Sequence, residues 1–243
     1  IDNFPAPFVS LKDPDLYLET VDELYKADAY HSLSIEGYRV SPELIEQVSS
    51  GQWHANDIQG IKHSKDALAA RGYWQAFQLV KQDVSKILDG KNPGEIIQKT
   101  HNNWYRELFQ PSVQAGIISA SSLAGYRDNP VYLRNSRHVP PRSEVVYEAM
   151  EMLFDQIITE EHPGVKAILG HWLFGYIHPY PDGNGRIARF LMNALLASGG
   201  YPWTIITVEN RSQYLASLES ASVEGDIKPF ISFISSQMQP TEK

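Results

Sequence analysis

The stretch HPYPDGNGRIARF at residues 178–190 places two prolines, two glycines and five other polar or charged residues between two apolar helical patterns. Pro179 predicts the end of the preceding helix, because the residue before a proline avoids the helical conformation. His178 is therefore expected at a helix C-terminus. An Asp-Gly pair then favours a turn, and a new helix is predicted to begin at about Arg186. Such a polar loop between buried helices indicates a functional site.

The loop combines groups that bind an anion. Gly183, Asn184 and Gly185 can direct successive backbone N–H groups toward one point. The N-terminus of the following helix adds a positive dipole and further free donors. Arg186 and Arg189 lie three positions apart on its first turn and face similar directions. This arrangement favours the binding of phosphate groups.

A carboxylate and an imidazole complete the loop. Asp182 would repel a phosphate in direct contact, so the natural interpretation is a Mg²⁺ ion between them. His178 is then a free acid or base, because histidine titrates near neutral pH. The alternative for each residue is an ordinary capped loop with solvated side chains. The ordered set argues against it, because two glycines and two arginines around an asparagine serve no packing purpose.

Composition limits the class of protein. The chain has 243 residues, 42% of them hydrophobic, a net charge of −8 and no cysteine. The negative charge argues against a nucleic-acid partner, and no apolar run approaches the length of a membrane span. The absence of cysteine excludes disulfides and is compatible with a reducing compartment, so we expect a cytoplasmic location. The chain begins at Ile1 rather than Met, which leaves a removed signal or anchor open.

Apolar spacing and capping signals predict a mostly helical fold. Residues 131–133 favour a strand and Asn135-Ser136 a turn, which predicts one short β-hairpin. The expected fold class is an all-α helical bundle with this small β-hairpin. The predicted helices span about residues 14–36, 42–51, 64–88, 93–109, 145–159, 165–177 and 186–197, with two more from about 210 and 227.

The motif resembles the signature of the Fic family, HxFx(D/E)GNGRxxR. Tyr180 stands where phenylalanine is usual, and the similarity extends from about residue 22 to residue 234. The resemblance implies the Fic fold, an all-α core with a β-hairpin flap. It also implies an N-terminal helical region at residues 1–60 and a Fic core domain at residues 61–243. The matching positions are His178, Asp182, Gly183, Asn184, Gly185, Arg186 and Arg189.

Members of this family mostly transfer AMP from ATP to a hydroxyl of a target protein. By motif position, the resemblance implies that His178 deprotonates the hydroxyl and that Asp182 holds Mg²⁺ on the α- and β-phosphates. The Gly-Asn-Gly run and Arg186 would bind those phosphates, and Arg189 would meet the γ-phosphate. The resemblance therefore implies a protein adenylyltransferase with ATP as substrate and Mg²⁺ as cofactor.

A second family pattern, (S/T)xxxE(G/N), matches SLSIEG at residues 32–37. Ser32 and Glu36 are four positions apart and share one helix face. The resemblance implies an inhibitory helix whose Glu36 pairs with Arg189 and blocks the γ-phosphate. We therefore expect autoinhibited transfer to a Ser, Thr or Tyr hydroxyl, with auto-AMPylation as a further reaction.

The resemblance also implies contacts outside the motif. The flap, at about residues 133–138, would hold the nucleotide and align the target protein by strand pairing, with Arg137 and His138 as contacts. Tyr214 in NRSQY matches a family tyrosine near the adenine, whereas Ser222 lies where a family asparagine is common. The expected partner is a target protein docked along the flap, and a homodimer stays open.

Three alternatives to AMP transfer from ATP remain: a regulator that does not catalyse, removal of AMP, and transfer from another donor. The protein could sense ATP as a non-catalytic regulator, or remove AMP from targets with Glu36 orienting water. The kinase-like Doc branch carries lysine at the second motif glycine, so Gly185 favours AMP transfer over phosphate transfer. UMP and phosphocholine are donors that the motif does not exclude.

Overall fold

The structure is a computed structural model that describes residues 4–7, 13–52 and 65–238. The expected boundary between residues 60 and 61 lies outside the described residues. The α-helices in the described part are α1 (Pro14–Ile35), α2 (Pro42–Ser49), α3 (Lys65–Leu88), α4 (Pro93–Gln114), α5 (Val146–Thr159), α6 (Pro163–Ile177), α7 (Asn184–Ala197), α8 (Arg211–Glu219) and α9 (Lys228–Gln237). None of these helices is both long and apolar enough to cross a membrane.

Capping side chains determine where the first helices begin. The Asp13 carboxylate accepts hydrogen bonds from the N–H groups of Asp15 and Leu16 at 3.0 and 3.2 Å, and the Asn92 side chain accepts one from Gly94 at 2.9 Å. A proline follows each cap, where its missing N–H costs no hydrogen bond. The predicted starts of α1, α2 and α4 are therefore confirmed.

Helix α4 extends past its predicted end. We expected it to end at about Phe109, but it continues to Gln114 with Pro111 inside it. Proline disfavours the helical conformation of the preceding residue without excluding it. Pro111 is buried, and its carbonyl accepts a hydrogen bond from Ala115 N at 3.0 Å. Packing against the core therefore outweighs the local preference.

Helix α7 lies at the centre of the bundle. Every residue of it except Gly185 is buried, and it packs against α1, α3, α4 and α6. A Cβ on Gly170 of α6 would meet the side chains of Leu191 and Leu195, so the two central helices approach closely. The core that surrounds α7 holds its N-terminus, and the loop before it, in a fixed position.

The predicted β-hairpin is wrong in its strands. Residues 126–142 are all described and contain turns but no paired strands. The predicted turn is present, since Asn135 has φ 64° and Ser136 N donates to Leu133 O at 3.3 Å. Prolines at positions 130, 140 and 141 lack the N–H that a ladder needs. A two-stranded hairpin alone is also marginally stable.

Candidate active site

His178 follows the last residue of α6 in a left-handed conformation, with φ 52° and ψ 59°. Its Nδ1 lies 3.3 Å from the carbonyl oxygen of Gly175. A carbonyl only accepts, so the hydrogen sits on Nδ1 and the lone pair on Nε2. Burial lowers the pKa of His178 below its usual value. The imidazole is therefore neutral at neutral pH and able to accept a proton.

Arg127 is a site residue that sequence reasoning missed. Its Nε donates to His178 O at 2.8 Å and its Nη2 to Ile177 O at 3.3 Å. The same guanidinium donates to the carbonyls of Asn129 and Pro141 at 3.0 and 2.6 Å. A left-handed histidine costs about 1–2 kcal/mol. Arg127 therefore ties the end of α6, where His178 lies, to both ends of the segment 129–141.

Asn184 closes the loop between α6 and α7. Its Oδ1 accepts from Tyr180 N at 2.9 Å and its Nδ2 donates to Tyr180 O at 2.7 Å. Tyr180 is fully buried and stacks on Tyr105 with ring centroids 3.8 Å apart. The Asn184 side chain therefore shapes the loop, and its backbone N–H belongs to the first turn of α7. The aromatic packing expected of Tyr180 is present.

The start of α7 presents donors and a carboxylate together. Gly183 has φ 81°, which glycine adopts without strain. Asp182 is 63% exposed; its Oδ1 accepts from Gly183 N at 2.6 Å, and its Oδ2 lies 3.7 Å from Arg186 Nη2. The first N–H groups of a helix have no partner within it. The start of α7 therefore offers free N–H donors where the anion site is predicted, and the anion site itself stays a prediction.

Arg186 is a buried cation with unused donors. It is 1% exposed, and its guanidinium lies over the rings of Tyr38 and Phe109, 5.2 and 5.0 Å from their centroids. Its Nε, Nη1 and Nη2 have no hydrogen-bond partner within the described part of the chain. Buried polar groups are almost always paired, so Arg186 has the properties of an anion ligand.

Arg189 is tied to α1. Its Nε donates to Ser32 Oγ at 2.9 Å, and its Nη2 donates to Ser32 O at 3.0 Å and Glu36 Oε1 at 2.7 Å. The Arg189 side chain is 5% exposed and that of Glu36 is 30% exposed. Burial raises the pKa of Glu36, but Arg189 and Arg186 outweigh it and hold that pKa below its usual value. Glu36 is therefore ionised beside Arg189.

Gly185 allows this pairing. A Cβ at this position would lie against Glu36 Oε1, closer than side-chain atoms normally approach, and 3.2 Å from Arg189 Nη1. The Glu36 carboxylate therefore lies directly over the backbone of the motif. The predicted residues Ser32, Glu36, Gly185 and Arg189 are brought together in one cluster, although the sequence separates their two halves by about 150 positions.

Other predicted contacts lie at the edges of this cluster. Tyr214 is 2% exposed, and its hydroxyl lies 2.9 Å from His171 Nε2; Arg189 is close enough to oppose the rise that burial causes in the pKa of Tyr214. His138 is buried, and its Nε2 lies 2.9 Å from Tyr176 O. The adenine and nucleotide contacts expected of Tyr214 and His138 stay predictions.

The flap segment, residues 133–138, is held mainly by the carboxylate of Glu219, with Glu224 as a second partner of Arg137. Glu219 at the end of α8 accepts from Ser136 Oγ at 2.5 Å and from Arg137 N at 2.8 Å. The Arg137 guanidinium also lies 3.4 Å from Glu219 Oε1 and 3.2 Å from Glu224 Oε1. Side-chain hydrogen bonds therefore replace the strand pairing that was expected. The nucleotide contact expected of Arg137 stays a prediction.

A ready-made metal cage is absent from the described residues, since no three His, Asp or Glu side chains cluster in them. Asp182 is the carboxylate of the motif, and it is largely exposed. A Mg²⁺ ion at Asp182 would need oxygen ligands from a substrate and water, which is the usual manner of its binding.

The described residues form an all-helical domain in which the N-terminus of the central helix lies beside a neutral histidine. Residues 95–196 match the model of the Fic/DOC family. This part of the chain is a Fic domain, as its motif predicted, and the relatives described next agree.

The alignments with named relatives cover most of this chain but less than half of each relative. It is 41% identical over 218 residues to "Protein adenylyltransferase Fic" of Nematostella vectensis, covering 88% of this chain and 47% of the relative. It is 41% identical over 223 residues to the protein of that name in Drosophila willistoni, covering 90% and 41%. The chain thus spans less than half the length of these curated relatives.

Solved structures share the fold. Fic-1 from C. elegans superimposes with a TM-score of 0.71 at 25% identity, covering 89% of this chain and 60% of that one. A Fic domain containing signaling protein from Bacteroides thetaiotaomicron gives a TM-score of 0.73 at 22% identity, covering 93% and 87%. The latter likeness shows the fold alone.

Proposed function

We propose that this domain transfers AMP from ATP to a Ser, Thr or Tyr hydroxyl of a target protein and that α1 inhibits the transfer. The observation that carries the proposal is the Arg186 guanidinium, which lies buried at the N-terminus of α7. Within the described residues it has no hydrogen-bond partner. A buried cation near a helix N-terminus, with no hydrogen bond in the described residues and Asp182 no closer than 3.7 Å, fits a phosphate. The names of the relatives agree with a nucleotide as its source.

The chemistry follows from the neutral histidine. His178 Nε2 takes the proton of the target hydroxyl, and the oxygen attacks the α-phosphorus in line. The bond from that phosphorus to the bridging oxygen of the β-phosphate breaks, and pyrophosphate leaves with the electron pair. Arg186 and the N–H groups of Gly185 and its neighbours stabilise the charge that develops on the phosphate oxygens. The domain modifies its own hydroxyls by the same step.

Asp182 fits a Mg²⁺ ligand. Its carboxylate is exposed beside the proposed anion site. Within the described residues, the ion pair of its Oδ2 is with Arg186 Nη2, at 3.7 Å. A single carboxylate together with substrate phosphates is a common way to hold Mg²⁺. When bound, the ion supplies neutralisation of the phosphate charge.

Inhibition rests on Glu36. Its carboxylate occupies the hydrogen-bonding edge of Arg189 that would otherwise meet the γ-phosphate. A triphosphate would bring further negative charge to this carboxylate, so the two exclude each other by charge and by volume. We assign this regulatory role to the region up to residue 60 and the transfer chemistry to the Fic core after it.

The target protein is proposed to dock along residues 133–138. The anchoring of this segment by Glu219 supports a fixed docking edge. Arg137 and His138 flank the nucleotide in this proposal, and Tyr214 contacts the adenine from the interior.

A second candidate function is the removal of AMP from targets. Glu36 lies close enough to His178 to counter the lowering of its pKa by burial. A carboxylate near the catalytic imidazole can orient a water molecule as well as obstruct a phosphate. In this reaction, water attacks the phosphorus and the target hydroxyl leaves.

The test uses purified protein, Mg²⁺ and ATP labelled on the α- or on the γ-phosphate, with Glu36→Gly and His178→Ala variants. AMP transfer predicts protein labelling from α-labelled ATP alone, increased in Glu36→Gly and lost in His178→Ala. Labelling from γ-labelled ATP indicates phosphate transfer instead. Labelled UTP and CDP-choline report the other donors. ATP binding without any labelling by Glu36→Gly indicates a regulator, and release of AMP from a labelled target by the wild type indicates removal.

A further inference from the structure

A buried polar chain leads from Arg189 into the core. Arg189 Nε donates to Ser32 Oγ at 2.9 Å, and the hydroxyl of Tyr73 donates to Asp28 Oδ2 at 2.6 Å. All four residues are at most 5% exposed. Asp28 and Ser32 are four positions apart on α1 and share one face, while Tyr73 lies on α3 and Arg189 on α7. The chain therefore joins three helices behind the proposed phosphate site.

The donors and acceptors give this chain one direction. A guanidinium only donates and a carboxylate only accepts, so the Tyr73 hydrogen points to Asp28. Burial and the Asp28 carboxylate raise the pKa of Tyr73 well above its usual value, and a hydrogen bond from Ser32 opposes this rise. Ser32 thus accepts from Arg189 and lies close enough to Tyr73 to counter this rise, next to the Tyr73–Asp28 pair. Asp28 is the final acceptor of the series.

Asp28 and Glu36 differ in how firmly they are held. Glu36 follows the last residue of α1, and its side chain is 30% exposed. Asp28 lies in the middle of α1 and is 5% exposed. Burial raises the pKa of Asp28 to about 6, against hydrogen bonds and the charge of Arg189, which lower it. Movement of the helix end would release Glu36 and leave Asp28 in place.

The neighbours on the other side of Arg189 cannot substitute for Asp28. Tyr214 and His171 are hydrogen-bonded to each other at 2.9 Å. Burial lowers the pKa of His171 to about 3 and raises that of Tyr214. Both groups are therefore neutral near pH 7. On the core side, the negative charge that acts on Arg189 is that of the Asp28 carboxylate, which is linked to it by Tyr73 and Ser32.

We propose that Asp28, acting through Tyr73 and Ser32, is a positioning residue that keeps Arg189 aimed at the γ-phosphate once Glu36 has moved away. This rests on the proposed function, in which Arg189 meets that phosphate. Asp28 thereby sets the preference of the uninhibited site for nucleoside triphosphates over diphosphates. ADP lacks the phosphate in question, so its binding does not depend on Arg189.

The experiment measures ATP and ADP affinities by titration calorimetry with Mg²⁺ in the Glu36→Gly parent. Adding Asp28→Asn or Tyr73→Phe is expected to weaken ATP binding about tenfold, the scale of a hydrogen bond to a charged group, with ADP binding unchanged. Matched controls are Asp83→Asn, a buried aspartate paired with Trp104 and Lys86, and Tyr17→Phe, a buried tyrosine whose hydroxyl is unpaired in the described residues. Both controls are expected to keep the parent's ATP preference.

The outcomes separate the two proposals. A parent that prefers ATP, with both test variants retaining that preference, overturns the positioning role of Asp28 alone. A parent that binds ATP and ADP equally overturns the assignment of Arg189 to the γ-phosphate, and this inference with it. Equal losses for ATP and ADP would indicate general damage and would also overturn it. Tyr73→Phe removes a single oxygen and decides the question where Asp28→Asn does not fold.

Discussion

Glu36 Oε1 lies 2.7 Å from Arg189 Nη2, in a contact that joins the residue after α1 to the second turn of the central helix α7. Arg189 is buried and also bonded to Ser32, so the position of α1 and the availability of this arginine are one property of the fold. Release of Glu36 would free one donor edge of Arg189 while the Ser32 contact holds the side chain in place.

Removal of the Glu36 carboxylate is expected to activate transfer. Glu36→Gly frees Arg189 and removes the repulsion of a γ-phosphate, so labelling from α-labelled ATP rises by about tenfold or more. Adding Arg189→Ala abolishes the gain. Ser32→Ala, which loosens the contact between α1 and Arg189 but leaves the Glu36 carboxylate in place, activates less than Glu36→Gly. Equal labelling of Glu36→Gly and wild type across a panel of lysates, with ATP binding and circular dichroism intact, contradicts the inhibitory role.

Loss of the imidazole is expected to stop transfer and spare ATP binding. Nδ1 of His178 faces Gly175 O, which leaves the lone pair of Nε2 for the target hydroxyl, and the proposed mechanism gives this imidazole no phosphate contact. His178→Ala in the Glu36→Gly parent lowers the labelling rate on the order of 10²–10⁴-fold, while calorimetry gives the parent's ATP affinity. A labelling rate equal to that of the parent rules out His178 as the base.

Local signals were sufficient for the parts of the fold that depend on neighbouring residues. The Asp13 and Asn92 side chains cap N–H groups within three positions, and Pro179 follows the end of α6 by two; the predicted starts of α1 and α4 and the predicted end of α6 are present. The hairpin prediction was wrong because a strand needs a partner with free N–H groups, and the flanking prolines have none. Single-residue propensities contain no information on that partner.

The parts of the site that sequence reasoning missed depend on long-range contacts. Arg127 reaches His178 across 51 positions, Tyr73 reaches Asp28 across 45, and Ser136 reaches Glu219 across 83. Apart from His178, none of these residues belongs to a motif. A buried arginine or aspartate looks like any solvated charge until the helices are packed, so only the three-dimensional structure reveals the shell that supports the motif.

The role of Asp182 predicts a change in metal dependence. Its exposed carboxylate is the one that the motif offers beside the anion site. In the Glu36→Gly parent, Mg²⁺ is expected to raise ATP affinity, and Asp182→Ala is expected to remove most of that enhancement. Calorimetric titrations of ATP with and without Mg²⁺ measure the difference. An unchanged enhancement in the variant would place the metal elsewhere.

Acidification is not expected to release the inhibition near neutral pH. Burial raises the pKa of Glu36, but Arg189 and Arg186 hold it below its usual value. A carboxyl with a lowered pKa stabilises the folded pair above its usual pKa and loses this effect only as the pH falls through the lowered value. The ratio of wild-type to Glu36→Gly activity therefore stays constant between about pH 6.5 and pH 8, a range that also lies above the pKa of about 6 of Asp28. A wild type that approaches the variant toward pH 6.5 contradicts this.

Gly185→Ala is expected to release α1 without activating the protein. The new Cβ would overlap Glu36 Oε1 and crowd Arg189, so the carboxylate has to leave, at a cost of about 1–2 kcal/mol in stability. The same Cβ occupies the cradle proposed for phosphate, so labelling stays low, unlike in Glu36→Gly. Hydrogen exchange should quicken at the end of α1.

Gly175→Ala is the control, because a Cβ there meets no atom within 4 Å and an alanine stabilises a helix by roughly 0.5–1 kcal/mol. Unchanged exchange in Gly185→Ala would show that Glu36 is not held over the motif backbone.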